Sequence, residues 1–192
     1  MSSQAVVSAI GIIILAAGSG KRFGSDKRMA VLPGGKTLLE TTLASIPAII
    51  ERRMLVLKPG EDALASQFSK TWEICFASNP DSGMASSLVT GISAADSWEG
   101  ALIGLADMPF IKADTYTNLQ RTLNDNDIVV PTFNGKRGNP VGFRKHYFQE
   151  ILAITGDQGA RRLLDRHQDK CKIVETGDEG VIRDIDSPES IR

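Results

Sequence analysis

Ile12-Ile13-Ile14-Leu15-Ala16-Ala17-Gly18-Ser19-Gly20-Lys21-Arg22-Phe23-Gly24-Ser25-Asp26-Lys27-Arg28 decides the fold. An apolar run stops abruptly at a glycine-rich, basic loop. The run shows no polar alternation, so it reads as a strand buried on both faces, as in a parallel sheet. Glycines at 18, 20 and 24 let the backbone approach a ligand and aim several N–H groups at one point. Lys21, Arg22, Lys27 and Arg28 add cations suited to a polyphosphate. The stretch therefore predicts a nucleoside triphosphate site at the carboxyl end of the first strand.

The rest of the composition agrees with one globular domain spanning residues 1–192. A net charge of −1 gives no global field that would favour nucleic acid or an anionic membrane. Cys75 and Cys171 lie far apart, without metal-ligand spacing, and a disulfide framework is not expected. Cys75, within Ile74-Cys75-Phe76, reads as a small buried hydrophobe, and a reducing cytoplasm fits. Residues 5–18 are almost wholly apolar, yet no Lys or Arg precedes them and the run is too short to span a bilayer. Its isoleucines favour a strand.

Outward from the opening stretch, strands and helices alternate. Pro33-Gly34-Gly35 turns the chain into a helix over 37–46, which Pro47 ends. Strands are predicted at 53–57 and 73–77, with a helix through Ala63, Leu64 and Phe68 between them. A polar loop from Ser78 leads into a helix starting near Ser82. A strand at 101–106 ends at Asp107-Met108-Pro109, a helix covers 112–123, and a strand at 127–130 ends at Pro131. Then come a hairpin-like turn at 133–136, a strand within 137–143, helices at 145–154 and 159–166, short strands at 172–174 and 181–183, and a final helical stub. Such alternation predicts an α/β fold with a mostly parallel sheet. Ligands of such sheets bind beyond the carboxyl ends of the strands. Loops 16–28, 78–87 and 106–109 should converge there.

Familiar phosphate motifs fail on spacing. Gly18-x-Gly20-x-x-x-Gly24 is one residue too long for the dinucleotide fingerprint. The second strand ends Leu57-Lys58-Pro59, with no acid for a ribose until Glu61. Gly35-Lys36-Thr37 ends like a P-loop, but Ala30 stands where its first glycine belongs, and a turn with Thr37 near a helix cap explains it better. His146 and His167 fall on polar helices and read as solvated.

Asp107 differs, because it follows a strand that is otherwise apolar or glycine. A triphosphate needs Mg²⁺, usually held by one or two carboxylates plus phosphate oxygens. Asp107 is the candidate for the first carboxylate, and Asp184 or Asp186 in the tail for the second.

Several stretches in order resemble the MobA-like nucleotidyltransferases, and within them the molybdenum cofactor cytidylyltransferase (MocA-like) branch. They are Leu15-Ala16-Ala17-Gly18-x-x-x-Arg22-Phe23-Gly24-x-x-Lys27, Leu32-Pro33, Leu38-Leu39, Gly83-Met84-x-x-Ser87-Leu88-x-x-Gly91 and Asp107-Met108-Pro109. Arg137-Gly138-Asn139-Pro140-Val141, Gly156-Asp157-x-Gly159-Ala160-Arg161 and Asp184-Ile185-Asp186-Ser187-Pro188-Glu189 complete the set. The resemblance implies a three-layer, Rossmann-like sheet with helices on both faces, of the nucleotide-diphospho-sugar transferase type.

It also implies roles. Lys27 and Arg22 would be catalytic, gripping the phosphates. Leu15, Ala16, Ala17 and Gly18 would read the base, with Gly83 and Ser87 near the nucleotide. Asp107 would bind Mg²⁺ with Asp186 or Asp184. Arg137, Asn139, Pro140, Asp157 and Arg161 would shape the acceptor pocket. Two departures stand out: Phe23 replaces a usual Met, and Ala106 a usual Gly. Guanylyltransferases of the family tend to carry Leu-Ala-Gly-Gly in the first motif, so Ala17 points to CTP. The implied reaction moves CMP from CTP to a phosphorylated acceptor, namely molybdopterin or molybdenum cofactor, and releases pyrophosphate. Transient contact with a cofactor-receiving enzyme would follow, with no nucleic acid or membrane partner. The alternatives are a guanylyltransferase or another NTP transferase acting on an acceptor such as a sugar phosphate, a dinucleotide-dependent oxidoreductase, and a non-catalytic nucleotide-binding delivery module.

Overall fold

The computed structural model describes residues 9–18, 23, 26–79, 83–155 and 160–191. Strand β1 (Ile10–Leu15) is buried at every position, as its uninterrupted apolar sequence requires. It lies between two parallel neighbours, β2 (Arg53–Leu57) and β4 (Gly100–Leu105), with Ile13 opposite both Met54 and Ile103. β3 (Glu73–Phe76) adds parallel outside β2. Beyond β4 comes β7 (Val141–Arg144), antiparallel to both β4 and β5 (Ile128–Phe133). The short β6 (Lys136–Arg137) pairs antiparallel with the end of β5, and β8 (Cys171–Glu175) pairs parallel with β5. The sheet is thus mixed but mostly parallel.

Helices cover both faces. Side chains alternate along a strand, so β1 feeds two cores. Ile12 and Ile14 pack with Leu39 and Leu43 of α1 (Leu38–Ala44) and with Tyr116 and Leu119 of α4 (Ala113–Asn124). Ile13 and Leu15 pack with Leu88 and Ile92 of α3 (Met84–Ala94), Ile151 of α5 (Phe148–Leu152) and Leu163 of α6 (Arg161–Arg166). The remaining helix, α2 (Asp62–Phe68), joins β2 to β3 and sends Ala65 into the first core. At Gly91 a Cβ would stand 2.7 Å from Ile13, so glycine lets α3 press against β1.

The order of the strands places the ligand end. The chain steps outward from β1 to β2 and β3, then returns to lay β4 on the other side of β1. The carboxyl ends of β1 and β4 therefore flank the topological switch point.

Thr37 caps α1 with a full capping box: its hydroxyl accepts from Glu40 N, and the Glu40 carboxylate accepts from Thr37 N. This accounts for the near P-loop ending at Gly35-Lys36-Thr37. Thr37→Ala is expected to cost about 1 kcal/mol, read from the denaturant midpoint.

The structure redraws some elements. β5 runs through Pro131 to Phe133 instead of ending at the proline. Proline is tolerated there because the β6–β7 side is interrupted: the Pro131 carbonyl accepts from Gly138 N, and no donor is asked of Pro131. The Asn134-Gly135 turn has φ of 50° and 74°, the two positive values of a tight hairpin. The expected helix at 145–154 is a 3-10 turn (Lys145–Tyr147) followed by α5. The one at 159–166 is described as α6 from Arg161, with 156–159 outside the described residues.

The expected strand at 181–183 is a 3-10 turn, Glu179–Ile182. Asp178 dictates it. Only 2% exposed, its carboxylate accepts from Gly180 N, Lys112 N and the Thr115 hydroxyl. One buried acid thus shapes this turn and docks it on the start of α4. No described helix is long and apolar enough to cross a membrane.

Candidate active site

Asp107 stands two residues past the end of β4, and its surroundings hold it in place. Ala106 N donates to the Leu15 carbonyl (3.2 Å), and the Thr42 hydroxyl of α1 donates to the Ala106 carbonyl (3.0 Å). The tail docks next to it through Ile185 N, which donates to the Asp107 carbonyl (2.9 Å). Ile185 is fully buried with Leu32 and Leu38, and Phe23, Phe110 and Ile191 pack around them. Phe23, the residue that stands where Met is usual, thus anchors the basic loop to the tail. With Ile185 turned inward, its neighbours Asp184 and Asp186 face outward. Oxygens of Asp107, Asp184 and Asp186 all lie within 4.8 Å of one another.

Lys27 closes the cluster. Its ammonium donates to Asp107 Oδ2 (2.5 Å), Asp186 Oδ1 (3.1 Å) and the Ile185 carbonyl (3.4 Å). A short 3-10 turn, Lys27–Met29, presents it, capped by Asp26, which accepts from Arg28 N. Burial alone would lower the lysine pKa. The hydrogen bond and charge of Asp107, then those of Asp186, outweigh it and hold Lys27 above its usual value. Asp184 is pushed up, first by burial and then by repulsion from Asp186 and Asp107.

Among the described residues, the ammonium hydrogen-bonded to this cluster is that of Lys27. Asp107 Oδ1 is buried and has no hydrogen-bond partner among the described residues. A buried polar atom of that kind calls for a partner. An all-oxygen donor set with an unmatched carboxylate oxygen fits a hard divalent cation.

Beside Asp107 lies the strip after β1. Ala16 N donates to the Val56 carbonyl (2.9 Å), extending the sheet by one bond. Ala17 is 1% exposed, and its methyl belongs to the core beneath the strip. Among the described residues, no hydrogen bond is made by the backbone of Ala17 or Gly18. Gly83, with φ of +80°, opens α3 without a side-chain cap. Ser87 sits within the first turns of that helix and is buried.

The acceptor candidates divide. Val141 pairs with Ile103, which carries Asn139 and Pro140 to the carboxyl end of β4. Asn139 N donates to the Val181 carbonyl (2.8 Å), and Pro140 follows a cis peptide bond and is buried. Gly138 is needed for this approach, since a Cβ there would stand 2.1 Å from the Val181 carbonyl oxygen. Arg137 instead pairs with Asp165 of α6 (3.1 Å), and Arg161 opens the same helix, exposed. Arg22 and Asp157 lie outside the described residues.

One expectation is corrected. Arg28, expected among the cations suited to a polyphosphate, is turned inward instead. It is 4% exposed and paired with Asp26 and Glu61. Glu61, noted in the sequence only as an acid too late for a dinucleotide ribose, is committed to this arginine. Sequence reasoning missed the pair because its partners come from different segments. Asp26, two residues from Arg28, was the one available signal.

Other nucleophiles offer little. Burial lifts the Cys75 thiol to about 11 and also raises Cys171. His146 pairs with Asp127 (3.3 Å) and His167 with Glu150 (3.0 Å).

An acid cluster with a lysine thus lies at the switch point of an α/β sheet, beside Ala17 and Gly18, whose backbones make no hydrogen bond among the described residues. Residues 12–171 match the MobA-like NTP transferase domain, and the chain belongs to that family of nucleotidyltransferases. It is 30% identical over 191 residues to the purine catabolism protein PucB of Bacillus subtilis, covering 92% of this chain and 91% of that one. It is 32% identical over 154 residues to a probable molybdenum cofactor guanylyltransferase of Deinococcus radiodurans (78% and 75% covered). It is 24% identical over 189 residues to a protein of Paenarthrobacter nicotinovorans named nicotine blue oxidoreductase (93% and 93%). Among solved structures, Rv0371c of Mycobacterium tuberculosis superposes with a TM-score of 0.83 at 21% identity, covering 96% and 95% of the two chains. The same mycobacterial protein has been solved in complex with manganese (TM-score 0.69, 18% identity, 87% and 88%).

Proposed function

We propose that this chain is a Mg²⁺-dependent cytidylyltransferase of the cytoplasm. It would transfer CMP from CTP to a phosphorylated acceptor, the molybdenum cofactor in its molybdopterin form, and release pyrophosphate. The observation that carries this reading is the cluster of Asp107, Asp184 and Asp186 closed by Lys27.

An acceptor phosphate oxygen attacks the α-phosphorus of the nucleotide in line. A new P–O bond forms as the bond to the bridging oxygen breaks, and its electron pair leaves with pyrophosphate. The acceptor oxygen is already anionic, so no general base is needed, in keeping with two histidines held in carboxylate pairs of their own. Catalysis is then positioning and charge neutralisation. Lys27, kept charged by its carboxylates, supplies positive charge for the triphosphate. Ala17 and Gly18 offer backbone groups to the base, and Asn139-Pro140 forms the acceptor side. Asp107 with Asp186 or Asp184 would hold Mg²⁺, which would neutralise phosphate charge and polarise the phosphoryl oxygens. The mycobacterial structural neighbour solved with manganese supports a divalent ion in this fold.

The donor is read as CTP because of Ala17. Its methyl packs into the core, so any effect on base choice runs through the backbone. GTP is the second reading, favoured by the Deinococcus relative. The Paenarthrobacter relative brings an oxidoreductase into view, but Glu61, the acid nearest the end of β2, is occupied by Arg28.

Pyrophosphate release is the test, measured with CTP, GTP, ATP and UTP, with and without phosphorylated molybdenum cofactor. Release with CTP that requires both Mg²⁺ and the acceptor is the expected result. Release with GTP alone would move the assignment to the guanylyl branch. Binding of CTP without release under any condition would leave a delivery module, and oxidation of a reduced nicotinamide with no release would favour the oxidoreductase.

A further inference from the structure

Arg28 is a buried guanidinium bound at every face. Its Nη1 donates to the Ala16 carbonyl (2.7 Å) and to Glu61 Oε2 (2.8 Å). Its Nη2 donates to Asp26 Oδ2 (2.6 Å) and to Glu61 Oε1, and its Nε to Asp26 Oδ1 (2.8 Å). Glu61 is itself fixed by Lys58 N (2.9 Å). One planar fork thus ties together the end of β1, the turn that carries Lys27 and the loop between β2 and α2. Burying a charge is costly unless it is paired, and apolar residues could fill such a space at similar or better stability. The question is what the fork achieves that packing would not.

The answer lies in the peptide unit it grips. The Ala16 carbonyl and the Ala17 N–H belong to one planar trans peptide and point in opposite directions. Drawing the carbonyl inward to Arg28 turns the Ala17 N–H away from Arg28. The preceding plane is fixed by Ala16 N, which donates to the Val56 carbonyl (2.9 Å), so the bond from Arg28 sets the remaining rotation at Ala16. The Ala17 backbone has no hydrogen-bond partner among the described residues, although the residue is buried. Buried backbone donors are nearly always paired.

Resting on the nucleotidyltransferase reading above, we propose that Arg28 is a positioning residue for nucleobase recognition. By clamping the Ala16 carbonyl it aims the Ala17 N–H as a fixed donor for an acceptor atom on the pairing edge of the base. Arginine is required because only a planar fork reaches the carbonyl and both carboxylates together. The triphosphate end of the ligand is recognised by other groups, so the effect of Arg28 falls on the base.

The test is calorimetric binding of CTP, GTP, ATP, UTP and inorganic tripolyphosphate to the wild type and to Arg28→Met, Arg28→Lys and Glu61→Gln. The preferred nucleotide should bind about tenfold more weakly to Arg28→Met, as for loss of one well-aimed hydrogen bond. Preference among bases should collapse while tripolyphosphate affinity is retained. Arg28→Lys should fail to restore the preference. Glu61→Gln keeps the shape and loosens the clamp, so it should shift the same way by less, and it stands in if Arg28→Met does not fold. Equal losses for nucleotides and tripolyphosphate, or unchanged base preference in folded variants, would overturn the proposal. A wild type that binds no nucleotide would instead overturn the nucleotidyltransferase reading itself.

Discussion

Replacing Lys27 by alanine is expected to move two measurements in opposite directions. Turnover should fall by about 10²–10³-fold, the usual loss when one preorganised charge donor is removed from a reaction of this type. Divalent-cation affinity of the free protein should rise. In the free protein the Lys27 ammonium occupies the space between Asp107 Oδ2 and Asp186 Oδ1, and a cation competes with it for the same oxygens. Without it, three carboxylates face one another with less compensation. Mn²⁺ titration by calorimetry measures the second effect, and pyrophosphate release the first. Near-normal turnover in this variant would remove Lys27 from the catalytic role. In the free protein the hydrogen bonds and charges of Asp107 and Asp186 hold the Lys27 pKa above its ordinary value, so this pairing should persist into alkaline solution.

The second large effect is expected at Asp107. Asn is nearly isosteric, so Asp107→Asn keeps the backbone bond from Ile185 N and removes the charge. Turnover should drop by at least about 10²-fold, matching the few kcal/mol a metal contributes to phosphoryl transfer. Activity that remains should no longer rise with Mg²⁺. Lys27 keeps Asp186 as a partner, so cooperative unfolding should survive, with a lower midpoint from the weakened pair. A variant with the wild-type Mg²⁺ dependence would remove Asp107 from the metal role. The two substitutions should not add: both act on one ion-paired cluster, so the double variant should lose less than the product of the single losses.

The two sites differ in how openly the sequence showed them. Asp107 stood out because it ended an apolar strand at the ligand end of a parallel sheet. That inference needs only local pattern and the general rule for such sheets. The tail acids were found by the same logic, as carboxylates that could reach that end. Local pattern did not reveal Ile185, whose burial among Leu32, Leu38 and Phe110 turns its two acidic neighbours outward. Asn139 and Pro140 were brought to the site rim by pairing with β4, while Arg137, from the same motif, was drawn to Asp165. Side chains two residues apart went to different places because a long cation pairs with whatever acid the next helix offers.

Sequence alone determined the elements whose cause is local. β1 follows from an uninterrupted apolar run, the hairpin from Asn134-Gly135, and the start of α1 from Thr37 with Glu40. Each rests on contacts within a few residues, which pattern and conformational preference reveal. Only the tertiary structure decided where Lys27 and Arg28 go. Lys27 and Arg28 are adjacent and alike in charge, yet Lys27 joins acids 80 and 159 positions away. Arg28 turns inward to Ala16 and to Glu61, 33 positions on. The sign of a charge is written in the sequence. Whether it faces a ligand or holds the chain depends on which carboxylates the fold brings within hydrogen-bond reach, and that is set by long-range packing.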